Sequence, residues 1–193
     1  MRCDYCYNKD IVLAKNGNYS LDSVLDFLKS RIGLLDGVVL SGGEATDYDL
    51  VSLCQDIKKL GFKIKLDTNG TNFKNFKNLC EMNLIDYIAL DYKAPEHKYK
   101  DITKSSKFNE FSMSLQYLID ANIDFEVRTT LHSDLLDEDD INFIIDDLLN
   151  RGYNKKYYIQ KFLDTGDNIG NLSPSSKSIN ESLLSKKLEV VFR

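Results

Sequence analysis

The chain has 193 residues, 42% of them hydrophobic, and its 25 basic and 30 acidic side chains leave a formal net charge of -5. A chain of this length buries roughly 70% of its unfolded surface in one domain, which excludes disorder as the default. No run of 18 apolar residues occurs, the opening MRCDYCYNKD lacks the apolar core of a secretory signal, and the acidic balance argues against a nucleic-acid partner, so a cytoplasmic chain without membrane contact is expected.

The first chemistry-bearing residues are Cys3 and Cys6, a C-x-x-C in a polar, aromatic opening where no core role explains them. A zinc site would need two more thiol or imidazole ligands, and none is spaced nearby. Ser20 then reads as the N-cap of a helix over LDSVLDFLKSR, whose Leu21, Val24, Leu25 and Leu28 recur at helical spacing. GVVLSGGE is a short buried strand running into a glycine turn, and DYDLVSLCQDIKKLG is a second helix closed by Gly61. FKIKLDTNG alternates apolar and polar residues as a strand does, FKNFKNLCEMNL is helical, and IDYIALDYKAP is a strand stopped by Pro95. Helix FNEFSMSLQYLIDAN, strand IDFEVRTTLH, helix DEDDINFIIDDLLNRG and strand KYYIQKF complete the run. Cys54 and Cys80 fall within apolar-periodic helices and read as small core residues, and the acidic run from Asp137 to Asp140 reads as a favourable helix N-terminus. From Asp164 onward the period is lost. Residues 164–193 are expected to form an irregular covering segment with a short final helix or strand, beside a main domain of residues 1–163.

Five strands alternating with helices of similar length indicate parallel βα units in an α/β fold. In such folds the C-terminal strand ends share one face, where ligands bind. Each end here carries specific polar residues: Ser41 to Glu44, Asp67 to Gly70, Asp91 to Lys93, Arg128 to His132, and Gln160. Charged groups inside apolar strands, such as Asp91 and Arg128, cost desolvation unless something pairs with them. Arg128 therefore reads either as a ligand contact or as an ion pair with a carboxylate such as Asp91, and His132 either as a pocket residue or as a solvated loop residue.

CDYCYNKD resembles the end of the C-x-x-x-C-x-aromatic-C motif of radical S-adenosylmethionine enzymes, with Cys3 and Cys6 as the second and third cysteines and Tyr5 as the aromatic. SGGE resembles the Gly-Gly-Glu strand end that holds the methionine part of S-adenosylmethionine in that family, which assigns Gly42, Gly43 and Glu44 to the cofactor, with Glu44 as acceptor for its ammonium group. LDTNG and ALDYKA resemble the matching strand ends of glycyl-radical-enzyme activating enzymes, which carries cofactor contacts over to Asp67, Asn69, Asp91 and Lys93, and less directly to Arg128 and His132. The whole run, with LLDGVVLSGGEAT and DYIALDYKAP, is most similar to anaerobic ribonucleoside-triphosphate reductase activating proteins.

The resemblance implies a [4Fe-4S] cluster held by thiolates, with one iron left open for S-adenosylmethionine. It also implies reductive formation of a 5′-deoxyadenosyl radical, hydrogen abstraction from a glycine of the reductase, and an electron donor such as flavodoxin or ferredoxin. The implied fold is a partial (β/α)6 TIM-like barrel of parallel strands. The family's first cysteine would stand four positions before Cys3, so the chain is expected to be truncated within the motif, with the barrel's first strand also upstream. Two alternatives are another radical S-adenosylmethionine enzyme, with a different glycyl-radical partner or a small-molecule substrate, and a catalytically incompetent fragment.

Overall fold

The computed structural model describes residues 1–14, 16–121 and 123–193. Six strands form one sheet in the order β1 to β6: Gly37–Leu40, Lys63–Thr68, Tyr87–Asp91, Phe125–Leu131, Tyr157–Lys161 and Val190–Phe192. Every neighbouring pair is parallel, with registers such as Leu66↔Ile88 and Asp91↔Arg128 that bring the strand ends level. The helices are α1 Lys9–Leu13, α2 Leu21–Lys29, α3 Val51–Lys59, α4 Phe73–Glu81, α5 Glu96–Thr103, α6 Phe108–Asp120 and α7 Glu138–Asn150. Among the described residues no helix is long and apolar enough to cross a membrane.

Local chemistry explains most of these boundaries. The Ser20 hydroxyl accepts from Ser23 N at 3.1 Å, the N-cap bond expected of it. Asp137 and Asp140 form a reciprocal capping box at the start of α7, which explains the acidic run. The strand starting at Gly37 ends at Leu40, and Ser41 to Glu44 belong to the turn that follows. The second expected helix begins only at Val51, because Ala45–Asp47 forms a separate 3-10 turn. The helix expected through Asn122 ends at Asp120, and Asn122 lies outside the described residues.

Two helices were not legible in the apolar pattern. Helix α1 buries no residue, and α5, EHKYKDIT, buries only Tyr99, Ile102 and Thr103, too few to produce a visible stripe. The segment 164–193 also does more than cover. Val190–Phe192 pairs in parallel with β5, and Leu184 and Leu188 enter the same core as Cys3, Leu90 and Ile144. A second, smaller core lies between α2, α3 and the β1–β2 side, around Leu28, Cys54, Ile57 and Ile64. Cys54 is there as the small apolar residue its spacing implied, and Cys80 sits in the main core.

Candidate functional site

The C-terminal ends of β1 to β5 and the cysteine turn enclose one cavity of about 300 Å³. Its wall includes Cys3, Tyr5 and Cys6, the turn Ser41 to Glu44, Asp67 and Asn69, Asp91 and Lys93, Arg128, and Gln160. The topology thus gathers residues from the whole chain, because parallel strands all end on the same edge.

Its centre is a chain of charges across three strands. Arg128 Nε donates to Asp91 Oδ1 at 2.5 Å, and Arg128 Nη2 stands 3.1 Å from Asp67 Oδ2. Lys93 Nζ donates to Asp91 Oδ2 at 2.8 Å. Burial alone pushes the Asp91 carboxyl up, but the Lys93 and Arg128 charges outweigh it and hold the group below the usual carboxylate range. Lys93 keeps its proton for the reciprocal reason: burial disfavours the ammonium, and Asp91 more than restores it. The ion pair with Asp91 expected for Arg128 is therefore present, and both residues also line the cavity. Asp67 Oδ1 is buried without a hydrogen bond, although Lys65 Nζ stands 2.8 Å away out of alignment.

Cys3 is buried, 5% exposed, with Lys93 close enough to act on it. Burial pushes its thiol up, and the Lys93 charge offsets part of that rise. Lys93 Nζ also lies 5.9 Å from the Tyr5 ring centroid, and the Tyr5 hydroxyl is buried without a hydrogen-bond partner. A buried phenol without a partner is costly unless a ligand or neighbouring sulfur satisfies it. Among the described residues no group of three or more Cys, His, Asp or Glu is placed to hold a metal ion. What the wall offers is two thiols, an unpartnered phenol and paired charges of both signs. That donor set fits a thiolate-held cluster beside a ligand that carries an amino acid and a positive charge.

Two residues have other work than the sequence reading gave them. The Glu44 carboxylate borders the cavity, but Oε1 accepts from Thr46 N, Thr46 Oγ1 and Thr68 Oγ1 at 3.2, 2.6 and 2.6 Å, and Oε2 accepts from Asn69 N at 2.8 Å. Oε1 thus carries three donors and Oε2 one, so Glu44 pegs the β1 turn to the end of β2 while Oε2 keeps an acceptor position. His132 stands outside the cavity wall, is 2% exposed, and uses both ring nitrogens: Nδ1 accepts from Asp134 N at 3.3 Å and Nε2 meets Ser173 O at 2.9 Å. Of the two roles weighed for it, a cofactor contact and a solvated helix-entry position, the second gives way to a buried tie to the C-terminal segment, and the first has no place on this wall. Gly42, with φ +122°, needs glycine for its backbone, whereas a side chain there would meet only Ile11 Cγ2 at 3.7 Å. Asn69 keeps its place on the wall, with Oδ1 accepting from Thr71 N and Oγ1 at 3.0 and 2.6 Å.

Thr46, Thr68 and Tyr99 were missed by the sequence reading. Threonines flanking a strand end carry no distinctive spacing, and Tyr99, whose hydroxyl is also buried without a partner, sits on the helix α5 that the pattern did not reveal.

Comparison with known proteins agrees with this arrangement. A Methanocaldococcus jannaschii protein, named as a candidate glycyl-radical enzyme activating enzyme, is 32% identical over 154 residues, covering 75% of this chain and 62% of that protein. The pyruvate formate-lyase-activating enzyme of Streptococcus mutans is 29% identical over 154 residues, covering 72% of this chain and 58% of that one. The chain thus spans about three-fifths of the length of these two relatives. The crystal structure of methylornithine synthase (PylB) shares the fold, with a TM-score of 0.67 over 94% of this chain and 56% of that chain at 12% identity. The family model described as the radical SAM superfamily, whose cofactors are a [4Fe-4S] cluster and S-adenosylmethionine, matches residues 1–167, and the chain belongs to that superfamily.

Proposed function

We propose that the chain is the catalytic core of a glycyl-radical-enzyme activating enzyme, acting in the cytoplasm on anaerobic ribonucleoside-triphosphate reductase with electrons from a flavodoxin or ferredoxin. The observation that carries this reading is the cavity in which the cysteine turn meets the ends of five strands. The names of the relatives in Methanocaldococcus jannaschii and Streptococcus mutans support the activase class. The resemblance of the whole run, with LLDGVVLSGGEAT, KIKLDTNGTN, DYIALDYKAP and IDFEVRTTLHSDLL, supports the reductase as partner.

When bound, the cluster and S-adenosylmethionine supply reductive carbon–sulfur cleavage and the 5′-deoxyadenosyl radical that takes a hydrogen atom from the partner's glycine. The chain's own residues hold and orient. Cys3 and Cys6 would hold iron as thiolates, and the Lys93 charge beside Cys3 offsets part of the rise that burial imposes on its thiol. Asp67, with one unbonded oxygen, and the Arg128–Asp91–Lys93 chain offer fixed charges of both signs to a zwitterionic ligand, so the site needs little rearrangement on binding. Gly42 and Gly43 bring backbone to the cavity, Glu44 fixes that turn, and the Tyr5 ring closes the wall against water.

The test is anaerobic incubation of the chain, carrying a cysteine four positions before Cys3, with reductase, S-adenosylmethionine and a reductant. A glycyl-radical signal in electron paramagnetic resonance is expected. 5′-Deoxyadenosine formed only when a small molecule is added would instead assign a small-molecule substrate. Failure to load iron and sulfide stoichiometrically would leave a non-catalytic fragment as the better reading.

A further inference from the structure

We propose that residues 167–171, a strap far from the cysteines in sequence, position the cysteine turn and keep its two thiols in ligating arrangement. The turn is held from two sides. On one side, Arg2 N and Asp4 N each donate at 3.2 Å to Thr103 O and Ile102 O at the end of α5. On the other, Gly170 N donates to Asp4 O at 2.8 Å and Ile169 N to Cys6 O at 3.0 Å. The amides of Arg2 and Asp4 are thus bonded to the end of α5 and the carbonyls of Asp4 and Cys6 to the strap, with the buried Cys3 between them.

The approach of the strap is close enough to require glycine. A Cβ at position 170 would stand 2.6 Å from Asp4 Cβ, 2.8 Å from Asp4 Cα and 3.0 Å from Asp4 O. Those atoms belong to the backbone or its first side-chain carbon and have no rotamer by which to move away. The strap also has its own internal fastening. Asn168, 3% exposed, accepts from Leu172 N at 2.7 Å through Oδ1 and donates to Leu172 O at 2.9 Å through Nδ2. Asn171 takes a left-handed conformation, φ 51°, to close that turn. Lys9 and Asp167 pair at 3.2 Å before it, and His132 Nε2 meets Ser173 O after it.

None of these strap residues lines the cavity, so they act through the turn. A C-x-x-C turn left unsupported loses backbone entropy each time it adopts one geometry, and a preformed hold removes that cost from ligand binding. The inference rests on reading Cys3 and Cys6 as cluster ligands. Its test uses metal-free protein, so failure of the activase reading and failure of the strap reading are seen separately.

In the reduced, metal-free 193-residue chain, the four thiols are labelled with iodoacetamide and resolved by mass spectrometry, in wild type, Gly170→Ala, Asn168→Ala and the control Ser175→Ala. Cys3 is expected to label at least tenfold faster in Gly170→Ala and several-fold faster in Asn168→Ala. Cys54 and Cys80, buried in the two cores, are expected to keep their wild-type rates in all variants, as is Cys3 in Ser175→Ala. Wild-type labelling of Cys3 in both strap variants overturns the proposal. So does a parallel rise at all four thiols in both, which would mark the strap as general packing. Should Gly170→Ala alone fail to fold, Asn168→Ala decides by the same ratio of Cys3 to Cys54 and Cys80 labelling.

Discussion

The centre of the sheet and its β1 edge are built from the same kind of sequence and end in different surroundings. IAL in β3 and VVL in β1 are both continuous apolar runs, the pattern of parallel strands covered on both faces. In β3, Ile88, Ala89 and Leu90 are fully buried. In β1, Val39 is 55% exposed, and Tyr19 and Tyr48, which line the same cleft, also face solvent. Exposed apolar surface of that kind marks regions suited to contact with something else, while the centre carries the stability. An apolar run therefore reports that a strand is meant to be covered, and the neighbouring elements decide whether it is.

If that contrast is real, substitutions should fall into a definite order. Arg128→Leu should cost most, about 3–5 kcal/mol, because it leaves the buried Asp67 and Asp91 short of a partner. Urea unfolding would measure it, and a loss below about 1 kcal/mol would show that the charged chain is incidental to the centre. The same network fixes the acid limb. Because Asp91 is held below its usual value of 3.8, its contribution is complete above that pH and is lost as pH falls through the lower folded value. Arg128→Leu removes one of the two opposing charges, so its decline should begin at a higher pH than in wild type.

Leu90→Ala comes next, at about 3 kcal/mol, as a fully buried side chain whose removal leaves a cavity. Asp137→Ala should cost about 1 kcal/mol by opening the capping box, seen as a lower thermal midpoint. Val39→Thr should change stability by no more than about 0.5 kcal/mol. A loss at Val39 as large as that at Leu90 would erase the distinction between edge and centre.

What could be read from the sequence follows the same division between local and long-range causes. The strands β1 to β5 and the helices α2, α3, α4, α6 and α7 were legible because period and capping are local signals. The pairing of Arg128 with Asp91 was legible too, since a buried charge in an apolar strand demands a partner. Glu44 was harder. Its residue type promises a free acceptor, and only the fold shows Thr46, Thr68 and Asn69 occupying it. His132, weighed as a cofactor contact or a solvated helix-entry residue, was hard for a related reason, because its tie to Ser173 joins residues distant in sequence. Helix α5 hid behind polar residues, and β6 behind a Ser- and Asn-rich approach with no period to follow.

The contact between Asp4 and Gly170 also has a meaning in time. One support of the cysteine turn, the end of α5, exists once Thr103 has been made, but the other is among the later residues to leave the ribosome. Contacts between such distant segments form late, after the loop between them has been ordered. The cysteine turn is made long before the strap that completes its hold. Until the strap docks, the cysteine turn rests on the end of α5 alone.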